Sequence, residues 1–169
     1  MLVLQEINII KYNKNMLDIE DFRKKLKEKS RLMGIDPGGK RVGIAISDEN
    51  KIVATPYTTI IKNRYSDFIK DIKKIVEDNQ IKGIVVGNPI NMDGSPSKSS
   101  QSAKDLAINL SKDITENITL WDERLSSQGA FNLSDDLGSN ISKKVKKLDK
   151  NSAQFILQGV LDYLSKKNT

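Results

Sequence analysis

Between Leu32 and Thr59 three short apolar runs follow one another with only tight turns between them, and from Tyr65 onward helical and strand periodicities alternate. Leu32 to Asp36 passes through Pro37-Gly38-Gly39-Lys40 into Val42 to Ser47, and Asp48-Glu49-Asn50-Lys51 leads on to Ile52 to Thr59. Turns this short join antiparallel neighbours, so the stretch predicts a meander. Pro56 cannot donate to a ladder and places the third strand at an edge. Tyr65, Phe68, Ile69, Ile72, Ile75 and Val76 then form a stripe with a 3.6-residue period ahead of a buried-type strand, Ile81 to Gly87. Ala103, Leu106, Ala107, Leu110 and Ile114 form another ahead of Ile118 to Asp122. A helix over Leu125 to Leu137, a lysine-rich connection from Gly138 to Lys147 and a last helical stripe from Ala153 to Leu164 complete the chain. The order β-β-β-α-β-α-β-α-α predicts an α/β fold: a mixed sheet of a three-strand antiparallel meander plus two parallel strands, with helices on both faces.

Residues 1–31 read differently. A short apolar start is followed by the charge-dense stretch Asp18 to Arg31, in which Ile19, Phe22 and Leu26 keep helical spacing. They are expected to form a partly helical N-terminal extension to a domain over 32–169. No segment approaches the roughly 18 apolar residues of a membrane span, and Met1 to Ile10 contains Glu6 with no basic leader before it. The expectation is a cytoplasmic protein without a membrane partner.

The 169 residues include no His and no Cys. That removes Ser-His-Asp and Cys-His nucleophiles, zinc sites built on imidazole or thiolate, iron–sulfur clusters and disulfides. Chemistry must rest on Asp, Glu, Lys, Tyr or water. With no imidazole, the formal charge of +6 is expected to stay nearly fixed between about pH 5.5 and 9. The basic balance favours a polyanionic partner. Aromatic residues number nine, which favours backbone and shape recognition over base stacking.

Three acidic motifs stand out. In Met33-Gly34-Ile35-Asp36-Pro37-Gly38-Gly39-Lys40-Arg41-Val42-Gly43 the span Gly34 to Lys40 matches G-x-x-x-x-G-K. However, Arg41 stands where a phosphate-binding loop needs Ser or Thr, and a strand follows where that loop and the dinucleotide fingerprint need a helix. What remains is Asp36 at the end of an apolar strand, beside a glycine-rich turn. In Leu120-Trp121-Asp122-Glu123-Arg124, strand alternation puts Trp121 and Glu123 on one face and Leu120 and Asp122 on the other, and either acid is a candidate. Asp149 in Leu148-Asp149-Lys150-Asn151-Ser152-Ala153 reads first as a helix cap. Its phase, four residues before Ala153 and seven before Ile156, also aims it at the sheet.

Functional groups of open sheets gather at the carboxyl ends of parallel strands, where Asp36 and Glu123 would lie and which Asp149 would reach. Carboxylates without nitrogen or sulfur partners select Mg²⁺ or Mn²⁺. Two such ions about 3.5–4 Å apart would activate a water and stabilise the leaving oxygen of a phosphodiester. Asp36, Glu123 and Asp149 are therefore the expected catalytic and metal-holding residues. Arg41 and Arg124, two of five arginines, flank the acids and are expected to hold phosphate, together with Lys40, Lys143, Lys144, Lys146 and Lys147. The loop Gly87 to Ser95 offers small residues and backbone N–H groups for a phosphate.

Taken in order, Gly34 to Ala45, the Gly-x-Pro-x-x-x-Asp-Gly loop from Gly87 to Gly94, Asp122-Glu123-Arg124-Leu125-Ser126, and Leu148-Asp149 with Ala153 to Leu157 resemble the YqgF/RuvX family from about Arg31 to Leu164. The resemblance implies an RNase H-like fold and a role in processing the 5′ end of pre-16S ribosomal RNA, with an older label of Holliday junction resolvase. It also implies Asp36, Glu123 and Asp149 as the active-site acids. Residues 1–31 have no counterpart in the usual pattern, and Ser152 stands where a small residue is common, a change expected to have no effect. The expected function is metal-dependent endonucleolytic cleavage of structured RNA by a monomer or homodimer. The alternatives are cleavage of branched DNA, a noncatalytic nucleic-acid-binding module, and, last, an ATPase of the sugar-kinase or actin type.

Overall fold

The computed structural model describes residues 14–125 and 152–166. Five strands form one sheet: β1 (Arg31–Asp36), β2 (Arg41–Ser47), β3 (Ala54–Ile61), β4 (Ile81–Asn88) and β5 (Asn117–Asp122), in the order β3-β2-β1-β4-β5. β1, β2 and β3 pair antiparallel, while β1, β4 and β5 run parallel, as the connection lengths predict. The third strand begins two residues later than Ile52. The Asp48 carboxylate accepts the backbone N–H groups of Asn50, Ile52 and Val53 and so holds them in the preceding turn.

Among the described residues the sheet is covered by α1 (Ile19–Lys25), α2 (Tyr65–Asp78), α3 (Lys98–Asp113) and α4 (Ser152–Ser165). Strand alternation sends Met33, Ile35, Ile44, Ile84, Val86 and Ile118 to one face, where they pack with Phe68 and Ile72 of α2 and Leu110 of α3. Leu32, Ala45, Val85 and Trp121 face the other way, against Phe22 of α1 and Ile156, Leu157 and Leu161 of α4. α4 lies unusually close because β1 has Gly34 beneath it. A Cβ there would stand 2.7 Å from Leu157 Cβ and 3.1 Å from the Ala153 carbonyl oxygen. Two glutamines pin the same helix to the edge of the sheet: Gln158 accepts the Ala54 N–H, and Gln154 donates to the Ala54 carbonyl.

The segment before β1 is docked on this frame. Phe22 is fully buried in the notch above Gly83, where an added Cβ would meet Phe22 Cζ at 2.7 Å. Leu17 donates its N–H to the Ile118 carbonyl at 2.9 Å, and the Ile118 N–H donates to Asn15 at 2.8 Å, so the chain covers the outer edge of β5. Arg23 donates to the Tyr163 carbonyl at 2.7 Å and lies over its ring. Among the described residues no helix is long and apolar enough to cross a membrane. The helix expected over Leu125 to Leu137 lies outside the described residues beyond Leu125, as do the lysine-rich connection, Asp149 and the cluster Lys143, Lys144, Lys146 and Lys147.

Candidate active site

Asp36 closes β1 on the face covered by α4. Parallel pairing of Ile35 with Val86 brings Asp36 level with Gly87 of β4, and Gly87 pairs in turn with Trp121 of β5. Glu123 stands just past the end of β5, at the start of a helical turn, and its side chain comes to the face that carries Gly87. Its carboxylate leans back over the sheet: Oε1 lies 2.5 Å from where a Cβ on Gly87 would stand. Neighbouring strands are about 4.8 Å apart, and the missing side chain at Gly87 leaves Glu123 room to lie over β4, next to the strand that carries Asp36. Burial, then the charges of Asp36 and Asp122, push the Glu123 carboxyl up to about 7. The expectation of a nearly fixed charge between about pH 5.5 and 9 therefore fails at this residue, because a desolvated carboxyl replaces histidine as the group that titrates near neutrality.

Asp122 and Glu123 differ in their partners. Asp122 faces away and is held by Arg124, whose Nε lies 3.0 Å from each carboxylate oxygen and whose second guanidinium nitrogen lies 2.6 Å from Oδ2. That pairing holds Asp122 below the usual carboxylate range. Arg124 is thus tied to its neighbour, with its other terminal nitrogen 3.6 Å from the Cβ position of Gly94 in the loop after β4. Within that loop, Asp93 accepts from the backbone and hydroxyl of Ser95, and the exposed Met92 stands near its tip.

Ser152, the first residue of α4, donates its hydroxyl to Asp36 Oδ2. The serine expected to be without effect is thus in direct contact with the first acid. Its signal was hidden because the partners are 116 positions apart in the chain. Arg41 and Lys40 are exposed at the mouth of β2, and among the described residues neither forms an ion pair. Among the described residues no three acidic groups converge on one metal position. Asp36 and Glu123 supply two carboxylates, and Asp149 lies outside the described residues, three positions before Ser152 in sequence. The donor set suits a hard divalent cation. It is all oxygen, and after burial, the larger cause, the part of the rise at Glu123 that comes from the Asp36 charge is what a bound cation would relieve.

A family model described as RuvX, Holliday junction resolvase, matches residues 30–163. The chain belongs to this family. Family membership makes it a hydrolase of phosphodiester bonds. A protein of Pelagibacter ubique named "Putative pre-16S rRNA nuclease" is 52% identical over 150 residues, covering 89% of this chain and 99% of the relative. A Rhodobacter capsulatus protein of the same name is 39% identical over 147 residues, covering 87% and 92%. In three dimensions the chain resembles Thermus thermophilus RuvC, solved in complex with a Holliday junction substrate, with a TM-score of 0.51 at 11% identity over 80% of this chain and 96% of that one. The yeast mitochondrial Holliday junction resolvase Ydc2 aligns with a TM-score of 0.50 at 9% identity over 87% and 84%. At these identities the likeness is one of fold, and it establishes the RNase H-like architecture.

Proposed function

We propose that this RuvX-family chain is a divalent-metal-dependent endonuclease that cleaves structured RNA in the maturation of the 5′ end of pre-16S ribosomal RNA. The observation that carries the reading is the Glu123 carboxylate laid across Gly87 toward Asp36 at the carboxyl end of the parallel strands. Asp36, oriented by Ser152, and Glu123 would hold Mg²⁺ or Mn²⁺ together with Asp149. The cation would supply water activation and charge neutralisation at the leaving oxygen. The protein's own part is positional. Ser152 fixes the Asp36 rotamer, Ile156 and the sheet exclude bulk water from one side of Glu123, and Arg41 and Lys40 meet the phosphates. Lys143, Lys144, Lys146 and Lys147 would add charge for further phosphate contacts. The pre-16S names of the relatives favour RNA over branched DNA. Side-by-side cleavage of a 5′-extended 16S precursor fragment and a four-way DNA junction, with Mn²⁺ or Mg²⁺, tests the reading. Cutting of the precursor that is lost in Asp36→Asn is the expected result, while cutting of the junction alone would assign the site to DNA.

A further inference from the structure

Beside Asp36 the sheet opens into a cleft of about 440 Å³ between β2, β3 and the first turn of α4, within the range of small-ligand pockets. Its floor is Gly43, which pairs with Asp36 on one side and Thr59 on the other and contributes no side chain. Arg41 stands two residues before Gly43 on the same strand and face, and Ser152 and Gln154 form the helical wall. On the outer wall is Tyr57. The register of β3 against β2 slips by one residue there, with Ile44 opposite Thr58 and Ala45 opposite Pro56, so Tyr57 is the unpaired residue of a bulge. Bulges re-aim side chains and recur beside active sites. Tyr57 is 48% exposed and is the one exposed aromatic side chain among the described residues.

A tyrosine left in water on an edge strand, lining the same cleft as an arginine that forms no ion pair among the described residues, contributes little to the core. It is well suited to a base and its phosphate. We propose that this cleft is a subsite for one unpaired nucleotide of the substrate strand next to the scissile phosphate, with the base stacked on Tyr57 and the adjoining phosphate at Arg41. The proposal rests on the nuclease reading for the role of Asp36 and adds a requirement to it, that the strand beside the cut be unpaired. Duplex RNA keeps its bases stacked on one another and offers none to the ring.

The test is binding of the full chain, in EDTA, to a short unstructured RNA oligonucleotide and to a blunt RNA duplex of the same sequence. Tyr57→Ala should weaken binding of the single strand roughly 5- to 150-fold, the loss expected for one stacked base, while leaving the duplex within about twofold. Tyr57→Phe, which keeps the ring, should match the wild type on both. Equal loss on both ligands, loss on neither, a Phe variant as weak as the Ala variant, or a wild type that does not bind the single strand would each overturn the subsite. Because no cleavage is measured, a chain that shows this pattern but does not cut RNA loses the nuclease reading and keeps the cleft. One that cuts RNA without the pattern does the reverse.

Discussion

Glu123 sits where burial and two neighbouring acids make its charge costly, and that cost is measurable without any substrate. A carboxyl whose folded pKa is raised from 4.5 to about 7 favours folding fully below about pH 4.5, and this contribution is lost as pH climbs through about 7. In EDTA, the wild type should therefore lose about 1–2 kcal/mol relative to Glu123→Gln between pH 4.5 and 8, less than the unscreened shift would give because the group is partly exposed. Parallel melting curves for the two proteins across that window would show that Glu123 is not desolvated. Ser152→Ala, which removes the donor to Asp36, should reduce Mn²⁺ affinity about 10-fold by calorimetry while Ser152→Thr retains most of it, since groups that orient ligands contribute at this scale. An unchanged affinity in the Ala variant would leave the hydroxyl with a structural role only. At this scale the sequence was partly legible. Asp36 is marked by the end of an apolar strand and Glu123 by the charged exit of β5, both local signals, although Glu123 stands in a helical turn and not in the strand. The Ser152 contact and the Asp122–Arg124 clamp depend on where distant or neighbouring side chains turn, which periodicity does not encode.

Among the elements, the two face sets of the sheet were readable because a strand has a period of two and a helix 3.6, so each apolar run declares its own partner side. The start of β3 was not, because the Asp48 carboxylate competes with the ladder for the N–H groups of Ile52 and Val53. The glycines were read as turn and loop signals, whereas Gly34 and Gly87 act inside strands by their lack of volume. A Cβ on Gly87 would meet Glu123 Oε1 at 2.5 Å and Ile156 Cδ1 at 2.6 Å. Gly87→Ala should therefore cost about 1–3 kcal/mol in denaturant melts and lower the cleavage rate at least 10-fold by displacing Glu123. A variant that is fully active despite this clash would show that Glu123 acts from some other position.

Across the molecule, the segment before β1 is part of the packed body. Phe22 is fully buried against Leu32 and Gly83, although it lies outside the residues the family model matches. Phe22→Ala should destabilise the protein by about 3–5 kcal/mol, as loss of a buried aromatic does, and should lower the melting temperature without changing the metal dependence of cleavage. The segment reads as an extension in sequence because charge dominates Asp18 to Arg31, whereas Phe22 docks with Leu17, Ile19 and Leu26 packed around it. The proposed active site is a set of carboxylates on an RNase H-like sheet and needs neither His nor Cys. Its most direct test is a crystal soaked in Mn²⁺ and measured for anomalous scattering. The account predicts manganese about 2 Å from carboxylate oxygens of Asp36 and Glu123, with Asp149 completing the set. Carboxylates of these three residues standing more than about 10 Å apart, or manganese bound elsewhere on the molecule, would contradict it.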